Sequence, residues 1–283
     1  MTEPDLYRIR DFVPDFDAIA AEFTERSRAL TARANVRADI AYGARPRETL
    51  DLIFPDNPAP EAPLHIFIHG GYWRSGEKES YRLVAEPVLA AGGVTALIEY
   101  DLMPGQRLPT LVNQVRRAVD WLQGHARSFG ADPARLTVSG HSAGAHLASF
   151  LAATGGEESD PPFLPAVNGL LLVSGIYDLS EIPDSFLRDE AKMTRGEAAA
   201  WSPLASNQRQ GPSRIIAYGA QETAPFREQA QELEARLRSA ENAVELLQVP
   251  DLNHMSVVLD LADKEGVLGR KLRELVERQP TRP

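Results

Sequence analysis

A pentapeptide at residues 140–144 constrains this chain more than any other part of its sequence. Gly140-His141-Ser142-Ala143-Gly144 reads G-x-S-x-G and stands between an apolar run, Leu136–Val138, and a stretch of small and apolar residues typical of a helix. Between a strand and a helix, this pattern predicts a tight turn whose two glycines leave room for neighbouring backbone. The serine hydroxyl is then exposed at the top of a sheet, beside the partial positive charge of a helix N-terminus. Ser142 is the predicted nucleophile, and a purely structural turn is the alternative.

A second glycine motif lies upstream. His69-Gly70-Gly71-Tyr72-Trp73 directly follows the apolar run Leu64–Ile68. A strand followed by His-Gly-Gly exposes backbone N–H groups that can face a developing oxyanion, together with the N–H of Ala143 just after the nucleophile. The predicted oxyanion and substrate-binding residues are therefore Gly70, Gly71, Tyr72, Trp73 and Ala143. The alternative is a glycine turn with an aromatic plug.

One of the six histidines has the position expected of a general base. His254 follows the predicted strand Val244–Val249 and precedes a C-terminal helix. The order serine, acid, histidine along the chain is that of hydrolases built on a G-x-S-x-G turn. The other five lie in a strand, in the glycine motif, on a distant helix or too near Ser142 in sequence, namely His65, His69, His125, His141 and His146. His254 is the predicted base, and a capped loop histidine is the alternative.

Three carboxylates compete for the position of the acid. Glu222 comes just past the predicted strand Arg214–Tyr218 and is favoured because the chain order places the acid there. Its carboxylate would fix the tautomer of His254 and stabilise the imidazolium, which either Asp or Glu can do. Asp251 lies three residues before the histidine, a spacing that favours a turn-stabilising role. Asp178, which follows an earlier strand, is the third candidate.

Short apolar runs alternate with helical stretches through most of the chain, which predicts an α/β fold with a mostly parallel central sheet and helices on both faces. Residues 1–283 are predicted to form a single domain. The polar stretch 178–210 breaks the alternation and is predicted to be a small lid or flap over the strand ends, the alternative being a surface insertion without a catalytic part. The predicted helices are Asp15–Ala34, Glu79–Ala91, Leu111–Phe129 and Ala143–Ala153, and the predicted strands are Val36–Tyr42, Thr49–Phe54, Leu64–Ile68, Val94–Tyr100, Arg135–Ser139, Leu170–Ser174, Arg214–Tyr218 and Val244–Val249.

Composition narrows the range of partners. The chain carries 40 Asp and Glu against 30 Lys and Arg, a net charge of −10. This balance argues against nucleic acid and anionic membrane surfaces, since both require a basic footprint. Without cysteine, thiolate chemistry is excluded. No signal-peptide pattern or membrane-spanning apolar run is present, so a cytoplasmic protein acting on a small molecule is expected. A homodimer is compatible with the sequence.

The motifs resemble those of one group of α/β-hydrolases. HGGYW and GHSAGAHLAS are together fairly specific, because the related hormone-sensitive-lipase-like esterases usually read HGGG in the first loop. The segments that carry the likeness are His69–Trp73, Tyr100–Pro104, Gly140–Ser149, Ser174–Leu179, Ser202–Leu204 and Gly219–Gln229. Over about Leu64 to His254, the chain is similar to the arylformamidases, or kynurenine formamidases, of the serine-hydrolase type.

This resemblance implies an α/β-hydrolase fold and hydrolysis of an N-formyl arylamine such as N-formylkynurenine, through an acyl-serine intermediate. It implies Ser142 as nucleophile and His254 as base, with no cofactor and no metal. The acid of the family is usually Asp, so Glu222 departs from its pattern. Tyr72 and Trp73 are then expected to restrict the acyl side and to offer a flat wall to an aryl group, unless both rings are core. The alternatives are a carboxylesterase for small acyl esters and a non-catalytic ligand-binding module.

Overall fold

The computed structural model describes residues 4–158 and 164–278. Its strands are β1 Asn35–Ala41, β2 Thr49–Phe54, β3 Ala62–Ile68, β4 Val94–Ile98, β5 Ala131–His141, β6 Ala153–Thr154, β7 Gly169–Val173, β8 Asn207–Gln208, β9 Ser213–Gly219 and β10 Val244–Val249. Its α-helices are α1 Phe16–Arg33, α2 Ala85–Ala90, α3 Leu108–His125, α4 Ala143–Ser149, α5 Arg188–Ala191, α6 Arg195–Ala200, α7 Ala224–Ser239, α8 Ser256–Leu261 and α9 Val267–Glu277.

Eight strands form one sheet in the order β1-β2-β4-β3-β5-β7-β9-β10. The pairs β1–β2 and β2–β4 are antiparallel, and every other neighbouring pair is parallel. Every residue of β3, β4 and β7 is buried, so both faces of the central sheet are covered. That is the environment a continuous apolar strand requires. The predicted α/β fold with a mostly parallel sheet is confirmed.

Two predicted helices differ from the structure in type or length. The stretch predicted as Glu79–Ala91 is a 3-10 helix, Lys78–Val84, followed by the short helix α2. The helix predicted to run from Ala143 to Ala153 ends at Ser149 in α4, and residues 153–154 instead form β6, which pairs with β8. Neither difference moves the start of α4, which directly follows Ser142.

The topology collects the candidate residues at one edge of the sheet. Because β3, β5, β7, β9 and β10 run parallel, their carboxyl ends lie side by side. His69, Ser142 and Ser174 each directly follow one of these strands, whereas Glu222 and His254 lie a few residues past β9 and β10. In open α/β sheets, ligands bind outside this edge. The glycine motif, the predicted nucleophile, the predicted acid and the predicted base therefore share one end of the sheet.

Two segments outside the sheet lie near this edge. The stretch 178–210 contains a 3-10 turn, Ile182–Asp184, and the helices α5 and α6. The N-terminal segment, residues 4–13, buries Tyr7, Ile9 and Val13 although it precedes α1 and the sheet. In residues 4–158 and 164–278, no helix is long and apolar enough to cross a membrane.

Candidate active site

Ser142 occupies a sharp turn between β5 and α4. Its φ of 55° and ψ of −120° lie outside the regions that side chains favour. A Cβ on Gly140 would lie 2.4 Å from the Gly144 carbonyl oxygen, and one on Gly144 would lie 2.1 Å from the carbonyl oxygen of Ile68. Only glycine fits at these positions, because the turn is pressed against the end of β3. The Ser142 backbone N–H donates to Val173 O at 2.9 Å, which ties the turn to β7 as well.

A carboxylate and an imidazole form a buried pair at the same edge. Nδ1 of His254 lies 2.8 Å from Oε2 of Glu222, and both side chains are almost completely buried. The other carboxylate oxygen, Oε1, accepts from Ser174 Oγ and from the Gly219 N–H, both at 2.6 Å. The carboxylate thus acts only as an acceptor, so Nδ1 of His254 carries the hydrogen that faces it. Ser142 and His254 line one cavity.

The two competing carboxylates lie elsewhere. Asp251 is exposed and has a φ of 59° in the turn before the histidine. Asp178 accepts from the N–H of Ser180 at 2.9 Å, which stabilises its own loop. Of the three candidates, only Glu222 contacts His254.

Ser174 is a site residue that sequence reasoning missed. It directly follows β7, has a φ of 52°, and its backbone N–H donates to Ala217 O at 2.7 Å. Its hydroxyl holds the oxygen of Glu222 that does not face His254. The available signal was a serine at the end of the predicted core strand Leu170–Ser174, the last predicted strand before the one that precedes Glu222.

The glycine motif forms a strained loop beside the turn of Ser142. Gly71, Tyr72 and Trp73 have φ values of 120°, 52° and 59° in succession. The backbone N–H groups of Gly71 and Tyr72 donate to no residue in the described part of the chain. The N–H of Ala143 is at the first position of α4, where a helix offers no internal acceptor. Of these three residues, Gly71 and Tyr72 line the cavity.

A largely buried polar network supports this loop from below. Nδ1 of His69 lies 2.7 Å from Gly70 O, and its Nε2 lies 2.7 Å from Glu99 Oε1. Arg47 donates to the same Glu99 oxygen at 2.6 Å, and Tyr100 donates from its hydroxyl to His69 O at 2.8 Å. Burial opposes ionisation of Glu99, but the hydrogen bond and charge of His69 and the charge of Arg47 lower its pKa below the ordinary value.

Trp73 does not line the cavity, so the prediction that its ring walls the substrate site is wrong. The ring is completely buried, and its Nε1 donates to His146 Nδ1 at 3.1 Å. Nε2 of His146 in turn donates to Trp201 O at 2.8 Å. Burial lowers the pKa of His146 to about 4, so this histidine is neutral and can accept from the indole. Trp73 is a core residue that anchors the loop, because its N–H finds its acceptor inside the protein.

Tyr72, by contrast, lines the cavity. Its hydroxyl donates to the backbone carbonyl of Tyr7, and its ring packs edge-on against Phe186 with centroids 5.3 Å apart. Tyr72 therefore links the glycine motif to the N-terminal segment and to the stretch 178–210.

His141 connects the turn of Ser142 to the base. Its Nε2 donates to the backbone carbonyl of His254 at 2.9 Å, and Nδ1 has no partner among residues 4–158 and 164–278. Burial, together with the nearby His254, lowers the pKa of His141 well below its ordinary value, so the ring is neutral. The contact fixes the backbone of His254 relative to the turn that holds Ser142.

The cavity has a volume of about 510 Å³, within the usual range of small-molecule sites. Its walls come from the N-terminal segment, the glycine motif, the 3-10 helix, the stretch 178–210 and the turn of His254. The lining residues are Arg8, Ile9, Arg10, Asp11, Phe16, Gly70, Gly71, Tyr72, Arg74, Ser75, Gly76, Tyr81, His141, Ser142, Phe186, Glu190, His254 and Met255. Sequence reasoning missed the N-terminal wall, for which the only signal was the apolar residues Tyr7, Ile9 and Val13 in a polar segment.

The described residues contain one group of carboxylates close enough to hold a metal ion: Asp39, Asp51 and Glu79. The ammonium of Lys78 lies 2.7 Å from Asp39 Oδ1 and 3.2 Å from Asp51 Oδ1, and it also pairs with Glu79. This cation occupies the position between the carboxylates, so the group does not fit a metal site. None of these residues lines the cavity of Ser142.

Comparisons with known proteins agree with this geometry. The BD-FAE family model matches residues 50–237. The kynurenine formamidase of Danio rerio is 32% identical over 89% of this chain and 85% of its own length, and that of Salmo salar is 32% identical over 90% and 86%. The chain belongs to the kynurenine formamidase family. It is therefore a hydrolase with an α/β-hydrolase fold.

Esterases are also similar to this member of the kynurenine formamidase family. Esterase LipQ of Mycobacterium tuberculosis is 30% identical over 77% of the chain and 56% of its own length. Among solved structures, a protein of Silicibacter sp. TM1040 to which a thioesterase activity has been assigned superimposes with a TM-score of 0.80 at 24% identity. The match covers 95% of this chain and 98% of that one. An esterase of Pyrobaculum calidifontis has a TM-score of 0.70 at 16% identity, with 93% and 91% coverage. These structures share the fold.

We expect Glu99→Gln to lower the free energy of unfolding by about 1–3 kcal/mol, because the amide removes the negative charge that Arg47 and the buried His69 contact. Denaturant unfolding would measure the loss. Glu25→Gln is the control, since Glu25 is exposed and, among the described residues, pairs only with Arg28, and it should change stability by less than about 0.5 kcal/mol. Equal stability of the two variants would contradict the structural role of the network.

Proposed function

We propose that this chain hydrolyses N-formyl arylamines, such as N-formylkynurenine, to an arylamine and formate. The observation that carries the proposal is the buried Glu222–His254 pair at one cavity with Ser142. It occurs in a chain that resembles kynurenine formamidases along almost its whole length. No residue of this arrangement requires a metal or an organic cofactor for acyl transfer.

In the proposed mechanism Ser142 Oγ attacks the formyl carbon while Nε2 of His254 removes the proton of the serine hydroxyl. Collapse of the tetrahedral intermediate breaks the C–N bond, and the His254 imidazolium gives its proton to the leaving arylamine. Water, deprotonated by the same nitrogen, then attacks the formyl ester and releases formate and free Ser142. Glu222 stays ionised throughout and stabilises the imidazolium.

The side chain of Ser142 has to move before it can react. Among the described residues, no hydrogen bond joins the hydroxyl of Ser142 to His254. Such contacts often form only when substrate is bound. Because His141 fixes the backbone of His254 and Glu222 fixes its ring, rotation of the small serine side chain is the movement that would make the contact.

The negative charge that develops on the carbonyl oxygen would be held by backbone donors. We assign this role to the N–H groups of Gly71, Tyr72 and Ala143, which have no acceptor in the described protein. Preorganised donors of this kind act at full strength because they need no reorientation during reaction. The contacts of His69 with Gly70 O and with Glu99 support the loop in its strained conformation.

The stretch 178–210 would act as a lid over this cavity together with the N-terminal segment. Phe186 and Glu190 of that stretch line the cavity. The N–H of Phe186 donates to a carboxylate oxygen of Asp5 at 2.5 Å, which joins the two segments. Both parts of such a lid are thus present on the same side of the site.

A carboxylesterase for small acyl esters is the second candidate function. It is favoured by the esterases among the relatives and structural neighbours, and it would use the same residues. Esters need less help with the leaving group than amides do, so some ester hydrolysis is expected in either case.

Ser142→Ala should abolish turnover and leave the fold intact, because the hydroxyl is the attacking atom and its removal costs little packing. Steady-state kinetics with a formyl arylamine would measure the loss. Ser149→Ala is the matched control, a buried serine on the adjoining helix whose hydroxyl, in the part of the chain that the structure describes, donates only to His146 O, and it should keep most of the activity. Turnover near the wild-type rate in Ser142→Ala would exclude Ser142 as the nucleophile.

Glu222→Gln should reduce kcat by about 10⁴-fold, because an amide N–H facing Nδ1 of His254 forces the tautomer whose Nε2 cannot accept a proton. Asp251→Asn, at an exposed residue, should change kcat by far less. Both variants are compared with wild type under saturating substrate. The reverse ranking would give the acid role to Asp251.

The acyl preference should be formyl over acetyl and acetyl over butyryl on a common aryl leaving group. Tyr72 and the glycine motif restrict the acyl side, and a shaped pocket discriminates by about tenfold to two-hundredfold per carbon. The values of kcat/KM for the three acyl groups test this order. A higher value for butyryl than for formyl would refute the formamidase proposal and leave the general esterase.

A further inference from the structure

The cavity differs in charge from the rest of the protein. Three guanidinium groups line it, from Arg8, Arg10 and Arg74, against two carboxylates, from Asp11 and Glu190. The whole chain, by contrast, has a net charge of −10. The lining thus carries one more cation than it carries anions. A cleft that is more positive than the rest of an acidic protein attracts anionic ligands.

Two of these three cations have strong partners within the protein. Nη1 of Arg10 donates to both carboxylate oxygens of Asp17, at 2.6 and 2.7 Å. Nε of Arg74 lies 2.5 Å from Oε2 of Glu190. Their charges are already compensated, so neither offers its full donor set to a ligand.

Arg8 is different. Its nearest carboxylate contact among the described residues is at 3.9 Å, from Nε to Oδ2 of Asp11, and both side chains are more than half exposed. An exposed pair at this distance contributes little. Its guanidinium instead lies over the ring of Phe186, 5.2 Å from the centroid. The planar donor fork, which matches a carboxylate in geometry, therefore has no strong acceptor in this structure.

The backbone that carries Arg8 is firmly held. The neighbouring Tyr7 is buried, its carbonyl accepts from the hydroxyl of Tyr72, and its own hydroxyl accepts from Gln229 Nε2 at 2.9 Å. Leu6 O accepts from Thr223 Oγ1 at 2.8 Å, and Thr223 directly follows Glu222. Hydrogen bonds of Leu6 and Tyr7 thus connect the backbone beside Arg8 to the glycine motif on one side and to the residue after the predicted acid on the other. They fix the position of the Arg8 backbone relative to the reacting atoms.

We propose that Arg8 is a specificity-determining residue that binds a carboxylate on the leaving-group half of the substrate. The inference rests on the proposed function, because a formyl group carries no charge and the anionic group must then belong to the arylamine. Phe186, beneath the guanidinium and edge-on to Tyr72, places an aromatic surface between Arg8 and the glycine motif. The arrangement suits an aryl ring whose side chain ends in a carboxylate.

The test compares two substrates that differ only in this charge: N-formylkynurenine and its α-carboxamide. Release of the arylamine is followed for wild type and for Arg8→Gln. Wild type should favour the carboxylate by about ten- to a hundredfold in kcat/KM, the usual value of a hydrogen bond to a charged group. In Arg8→Gln this preference should disappear, mainly through a higher KM for the carboxylate, and the carboxamide should be cleaved at the wild-type rate.

Two further variants separate charge recognition from a structural effect. Arg10→Gln removes a second cation of the same segment, two residues after Arg8, whose guanidinium is paired with Asp17, and it should keep the wild-type preference. Arg8→Lys should restore part of the preference, since a point charge replaces the fork. An equal loss on both substrates in Arg8→Gln, or loss of the preference in Arg10→Gln, would overturn the proposal.

If the proposed function itself is wrong, the same assays should give a different result. In that case wild type would cleave neither formyl arylamine but would cleave aryl acetates. The same comparison is then made with aryl acetates that do and do not carry a carboxylate on the aryl group. A preference for the anionic ester that depends on Arg8 would sustain the assignment of Arg8, and its absence would reject it.

Discussion

The contact between Gly144 and the end of β3 is the constraint on which the rest of the site depends. The carbonyl oxygen of Ile68 occupies the space that any side chain at residue 144 would need. This contact presses the turn of Ser142 against the strand that leads into the glycine motif. The hydroxyl and the N–H groups of the loop therefore belong to one rigid unit, and the left-handed backbone of Ser142 persists because β3 and β7 hold it from both sides.

Two hydrogen bonds that do not involve the histidine set the orientation of the Glu222 carboxylate. Ser174 and the Gly219 N–H hold one oxygen of Glu222, so the other oxygen faces His254. The N–H of Glu222 in turn donates to Gly219 O at 3.1 Å, so this residue lies in a turn that folds back onto the end of β9.

Charged side chains are paired differently below the glycine motif and at the cavity wall. Below the glycine motif, the Glu99 carboxylate contacts both Arg47 and His69. At the cavity, the nearest carboxylate contact of Arg8 among the described residues is at 3.9 Å. The close contacts of Glu99 stabilise the loop, whereas the proposed action of Arg8 on a substrate depends on its lack of a close partner. The N-terminal segment contributes to both the enclosure and the charge of the site.

The local sequence determined the fold class and the positions of Ser142 and His254, because strand, turn and helix patterns are short-range and parallel strands bring their ends to one edge. It also placed Glu222 after β9, although only the tertiary structure excluded Asp251 and Asp178 from contact with the histidine. The indole of Trp73 and the ring of Tyr72 are adjacent in sequence, yet one is core and the other lines the cavity. That outcome depends on acceptors at His146 and Tyr7, which are distant in the chain. The N-terminal wall of the cavity also depends on contacts between residues that are distant in the chain, some of them more than two hundred positions apart. Such contacts leave no local sequence pattern, so only the folded structure decides them.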